Sequence, residues 1–108
     1  MKKLHLAIST NNIKETIKDY TERLSAEPCS CIADEYALWR TESLNISIRQ
    51  DSECPSGSLR HLGWEDSSVD EFTQDIDVNG IVWESFNAQN QADEINALWP
   101  EANYKSEN

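Results

Sequence analysis

Positive charge is scarce in this chain. Its 108 residues include 9 Lys or Arg against 20 Asp or Glu, for a formal net charge of −11. Nucleic acid is bound by Lys and Arg displacing counterions from phosphates, so a nucleic-acid partner is not expected. An anionic membrane surface is disfavoured on the same ground. The carboxylates follow no regular spacing that would mimic a phosphate backbone. Long apolar runs are missing as well. No stretch reaches the roughly 18 apolar residues of a membrane-spanning helix. Met1-Lys2-Lys3 opens like a signal peptide, but the apolar stretch behind it is short and runs into Asn11, Asn12 and Lys14. Cysteine is sparse and odd in number: Cys29, Cys31 and Cys54. That argues against a disulfide framework and for a reduced, cytoplasmic protein. No Ser-His-Asp arrangement, Gly-rich phosphate loop or zinc-finger spacing is present.

The length fits one domain, residues 1–108. Hydrophobic residues make up 38%, and four tryptophans add large burial surfaces. Leu4 to Ser9 alternates, with Leu4, Leu6 and Ile8 on one face and His5, Ala7 and Ser9 on the other, which predicts a half-buried strand. Asn12 is placed to cap a helix, with Glu15 as its capping-box partner. Ile13, Ile17, Tyr20 and Leu24 form the apolar stripe of that helix, and Glu27-Pro28 ends it. Three strands are expected next, at Cys29–Ala33, Tyr36–Arg40 and Leu44–Arg49. On the third, Leu44, Ile46 and Ile48 face a core, and Asn45, Ser47 and Arg49 face the other way. Pro55 and Gly57 mark a loop near the midpoint.

The second half starts in the same manner. Leu59 to Glu65 reads as a strand with Leu59, His61, Gly63 and Glu65 on one face. Ser68 is expected to cap a second helix, with Glu71 as partner and Val69, Phe72 and Ile76 as its stripe. Asn79-Gly80 would end that helix, and Ile81–Phe86 would be another strand. Gln89–Trp99 fits either a short helix stopped by Pro100 or a degraded pair of strands. Lys105 to Asn108 are expected to fray.

This pattern resembles the vicinal-oxygen-chelate superfamily, the glyoxalase and bleomycin-resistance fold. Lys3-Leu4-His5-Leu6-Ala7-Ile8 is similar to the family's first strand. Asn12 through Tyr20 is similar to its first helix, and Leu24-Ser25-Ala26-Glu27-Pro28 to its "leu-gly-x-glu-pro" exit. Leu59-Arg60-His61-Leu62-Gly63-Trp64 resembles the "leu-x-his-leu-gly-phe" opening of the second module. The nearest branch by these motifs is the cadmium-induced and organoarsenical-lyase-like one, although its arsenic-binding cysteine pair is absent. The resemblance implies an α+β fold in which two βαβββ modules, about 3–50 and about 58–104, form an incomplete barrel. The second module is truncated or divergent, since its closing turn and last strand are not recognisable after Phe86. The resemblance also implies a homodimer.

In that family the first strand of each module commonly carries a metal ligand. His5 and His61 match those positions and are the only histidines. The third ligand is usually a Glu, for which Glu84, Glu65 and Glu101 are candidates. Glu84 follows from setting Asp77-Val78-Asn79-Gly80 onto the family's closing turn. Two His and one carboxylate suit Fe, Ni, Mn or Zn. Asn45, Ser47, Arg49 and Glu65 are the candidate ligand-binding residues. Three functions stand open. One is a divalent-metal enzyme of the lyase, isomerase or dioxygenase kind. The second is a metal-free, drug-sequestering binder of small molecules, with acidic surroundings that favour a cation. The third is a divergent, non-catalytic interaction module. Cys29-x-Cys31 would place two sulfurs on one strand face, where buried structural cysteines are the ordinary reading.

Overall fold

The alternating segment at the start forms the longest strand, β1 (Lys2–Thr10). A computed structural model describes residues 1–106, so the expected fraying at 107–108 lies outside the described residues. Helix α1 (Ile13–Leu24) follows, and the Asn12 side chain accepts from the Glu15 backbone N–H at its start. Asn12's own N–H goes to the Thr10 hydroxyl at 3.1 Å rather than to Glu15, so only half of a capping box forms. The helix closes at Ser25 in the left-handed conformation, φ 52°, a site where glycine is the common choice. Strands β2 (Ser30–Ile32), β3 (Tyr36–Arg40) and β4 (Leu44–Gln50) then return as an antiparallel run. β4 lies parallel to β1, with His5 opposite Asn45 and Ala7 opposite Ser47.

The second half gives β5 (Leu59–Asp66), β6 (Thr73–Ile76) and β7 (Val82–Phe86), then helix α2 (Ala88–Leu98) and a 3₁₀ turn at Pro100–Ala102. All seven strands join one open sheet in the order β2-β3-β4-β1-β5-β7-β6. β5 runs antiparallel to β1 and parallel to β7, which pairs antiparallel with β6. The architecture is α+β. Among the described residues no helix is long and apolar enough to cross a membrane.

The expected helix over 68–76 does not form. The Ser68 hydroxyl donates to the Asp66 carboxylate at 2.7 Å, and the Ser68 N–H bonds the same oxygen. The residue meant to cap a helix is instead tied into a turn. Three apolar side chains are too few to bury such a helix, and Thr73–Ile76 pairs with β7 as an edge strand. Asn79-Gly80 belongs to the β6–β7 turn, where Asp77 accepts backbone N–H groups from Asn79 and Ile81 and Gly80 takes φ 83°. Residues 89–99 resolve as helix: α2 starts at an Asn87–Asn90 capping box.

Each face of the sheet has its own helix. α1 lays Ile13, Ile17, Tyr20 and Leu24 against Ala37, Trp39, Ile46 and Ile48. On the opposite face α2 and the segment after it bring Ile95 and Trp99 onto Ile32, Tyr36 and Leu38. The polar side of β4 is therefore no solvated face. Asn45 is fully buried and Ser47 nearly so, because α2 roofs them. Cys29 lies outside β2, and it and Cys31 are both exposed rather than buried, so they form no regular one-face pair.

Candidate metal centre

In register, His5 on β1 stands opposite Asn45 on one side and Gly63 on the other, and Gly63 stands opposite Glu84 on β7. Directly paired residues share a face. His61, two residues from Gly63, shares it as well. Gly63 has no side chain, so nothing stands between His5 and Glu84.

The three functional groups converge beneath α2. His5 Nε2 lies 3.0 Å from His61 Nε2, and His61 Nε2 lies 3.0 Å from Glu84 Oε1. His5 Nε2 is 4.0 Å from the same oxygen. One ligand atom from each of the three residues lies within 4.8 Å of the others. Phe86 closes one wall, its ring edge-on to His5 at 5.0 Å between centroids.

The hydrogen-bond network fixes the state of His5. Glu65 accepts from the Arg40 guanidinium at both oxygens, each at 2.8 Å. Its Oε1 also accepts from Asn45 Nδ2 at 2.9 Å. An ionised carboxylate only accepts, so the Asn45 amide can point only one way. Asn45 Oδ1 then faces His5 Nδ1 at 2.8 Å and accepts its proton. Gln91 on α2 follows that orientation, donating to Oδ1 and accepting from Nδ2. The neutral imidazole therefore carries its hydrogen on Nδ1, and its bare Nε2 points at His61 and Glu84. Burial, with the neighbouring His61 adding to it, holds the His5 pKa below its ordinary value, which keeps the ring neutral.

These residues suit a metal ion by the chemistry of their donors. Imidazole and carboxylate are the usual set for Fe, Ni, Mn or Zn. A ligating His normally gives its other ring N–H to a carbonyl or carboxylate, and Asn45 fills that position. Two imidazole nitrogens 3.0 Å apart need either an N–H hydrogen or a cation between them.

The other expected site residues fall in different places. Ser47 and Arg49 line the cavity next to the histidines. Asn45 orients His5 instead of lining the cavity. Glu65 is no ligand, because Arg40 and Asn45 take its oxygens. Glu101, in the exposed 3₁₀ turn, is not part of the group. Sequence reading missed Gln91 and Arg60, and it also missed the aromatic wall of Tyr36, Phe86 and Trp99. Phe72 and Leu98, 42% and 48% exposed, stand at the cavity rim. No family model matches the chain, and no curated protein matches it by sequence.

Proposed function

We propose that this chain is a small-molecule-processing protein of the vicinal-oxygen-chelate kind, glyoxalase- or dioxygenase-like, with one divalent ion held by His5, His61 and Glu84. The observation that carries this reading is the locked His5 tautomer, whose bare Nε2 faces a second imidazole and a carboxylate. The strand order supports it too. The first half runs strand, helix and three strands, with β1 beside β4. The second half repeats the parallel β5–β7 pair without an intervening helix, and the two halves meet antiparallel at β1 and β5.

A bound ion would supply Lewis acidity toward a small oxygen-bearing substrate. The chain's own residues do the rest. Asn45, braced by Glu65 and Gln91, keeps the His5 lone pair aimed at the ion position. Phe86, Tyr36 and Trp99 line the cavity with apolar surface. His61 Nε2 can hold a proton toward Glu84 when no cation is present.

Calorimetric titration of the metal-stripped chain with Fe(II), Ni(II), Co(II) and Zn(II) tests this. The expected result is micromolar or tighter binding of one ion per chain, lost in His5→Ala/His61→Ala. Asn45→Ala should weaken it by about 10- to 100-fold, as for other groups that orient a ligand. Equal binding by wild type and the double variant would sink the metal reading. The aromatic walls would then favour the metal-free, sequestering alternative.

A further inference from the structure

The cavity beside the histidines holds two arginines that no carboxylate pairs directly among the described residues. In a chain with 20 acids and 9 bases, Arg49 and Arg60 both line this one cavity. Among the described residues neither side chain makes an ion pair or a hydrogen bond. Arg49 instead lays its guanidinium over Trp99, 5.5 Å from the ring centroid. Elsewhere the Arg40 guanidinium meets both oxygens of Glu65 and Arg23 pairs with Asp19, so leaving arginines without a carboxylate is not the habit of this fold.

Arg60 reaches the cavity through an irregularity in the sheet. β1 pairs Ala7 with His61 and Ile8 with Leu59, so β5 carries Arg60 as an extra residue. Regular alternation would turn consecutive residues to opposite faces. Here Arg60 and His61 line the same cavity. A bulge gives up regular pairing and re-aims a side chain, and the side chain re-aimed is a guanidinium. Arg49 sits across from Ser9, next to that bulge on β1. The two arginines thus flank one end of β1, and His5 lies further along the same face.

The charges set the ligand's sign and number. The acids lining the cavity are Glu84 and Glu94, and the bases are Arg49 and Arg60. With neutral histidines the lining is balanced, and a divalent ion leaves it two charges positive. A dianion restores neutrality. The cavity is also small, about 50 Å³, room for only a few buried heavy atoms. The chain's overall acidity suggested a cationic ligand, but with a divalent ion in place the cavity would be positive and would favour an anion.

We propose that this cavity binds a small organic dianion, one carboxylate turned toward His5, His61 and Glu84 and the other anionic group held between Arg49 and Arg60. This rests on the metal reading above, since the ion supplies the charge that the first carboxylate meets. The guanidinium fork matches carboxylate and phosphate-type oxygens equally, so the second group belongs to one of these two.

Calorimetry on the zinc-loaded full chain tests it, with malonate, acetate and the neutral malonamide as probes. Malonate should bind at least about tenfold tighter than acetate, and malonamide should not bind. Arg60→Gln should weaken malonate by about tenfold or more while zinc affinity, measured separately without malonate, stays unchanged. Arg49→Gln should act likewise, with its melting temperature recorded because Arg49 also packs on Trp99. Phosphonoacetate tighter than malonate would assign a phosphate-type second group, and the reverse order a carboxylate. Malonamide binding as well as malonate, or unchanged malonate affinity in Arg60→Gln, would overturn the proposal. If zinc binds and malonate does not, the dianion fails and the metal reading stands. If zinc does not bind, the metal reading fails, and malonate is titrated into the metal-free chain. Binding there that Arg60→Gln weakens keeps the arginine subsite, and no binding removes it.

Discussion

A single glycine holds the site open. A Cβ on Gly63 would collide with the backbone carbonyl oxygen of Glu84, on the neighbouring strand. Backbone cannot move aside as a flexible side chain can, so β5 and β7 would have to separate. Gly63→Ala should therefore destabilise the fold by roughly 2–4 kcal/mol. Chemical denaturation would measure the loss, and a change under about 0.5 kcal/mol, the range of neutral surface substitutions, would show that the strands yield freely. Other features at this scale were legible to different degrees. His5 and His61 stood out as the only histidines, each on the polar side of an alternating strand. Glu84 could not be separated from Glu65 and Glu101, because what disqualifies Glu65 is Arg40, distant in sequence. Arg60 was hidden by the bulge, since period-two counting assigns it to the wrong face.

Between elements, the Arg40–Glu65–Asn45–Gln91 network joins β3, β5, β4 and α2 through side chains that are mostly buried. Burial alone would push the Glu65 carboxyl up. Hydrogen bonds from Arg40 and Asn45 and the charge of Arg40 outweigh it, so the folded value lies below the ordinary 4.5. A carboxyl depressed in the folded state stabilises the protein above its unfolded pKa. That stability should be lost as pH falls from about 4.5 through the folded value. Glu65→Gln should remove this part of the acid dependence. It should also cost roughly 1–3 kcal/mol at pH 7, because the Arg40 guanidinium loses the carboxylate charge it faces. Denaturation midpoints of both proteins across pH 2–7 would read this, and parallel curves would mean Glu65 carries no linked proton. Element type followed from sequence where a stripe was long. The four apolar positions of α1 and the alternation of β1 and β4 needed no tertiary information. Segment 68–76 failed because its helical stripe was short and its capping serine bonds backwards to Asp66. For 89–99 the pattern alone left helix and strand open, and the fold decides for helix because only α2 can roof the polar face of β4.

The two halves of the molecule are covered unequally, and this sets where it opens. In the first half α1 packs one face of β3 and β4 while α2 and the 3₁₀ turn roof the other. In the second half the turn at 67–72 stands where a helix was expected. It leaves Trp64 38% exposed on β5 and all four residues of β6 exposed. β6 is also an edge strand, bonded on one side only. Local opening needs little energy where few apolar contacts must break. Native-state hydrogen exchange should therefore find the hydrogen-bonded amides of β6 exchanging about 100-fold or more faster than those of β1 and β4, which are flanked by strands on both sides. Glu84 lies on β7 between these regimes, so adding Zn(II) should slow exchange in β7 and β6 more than in β4, because the ion would tie β7 to β1 through His5. Uniform protection over all seven strands would instead mean that the sheet opens as one unit and that the missing helix costs the second half nothing.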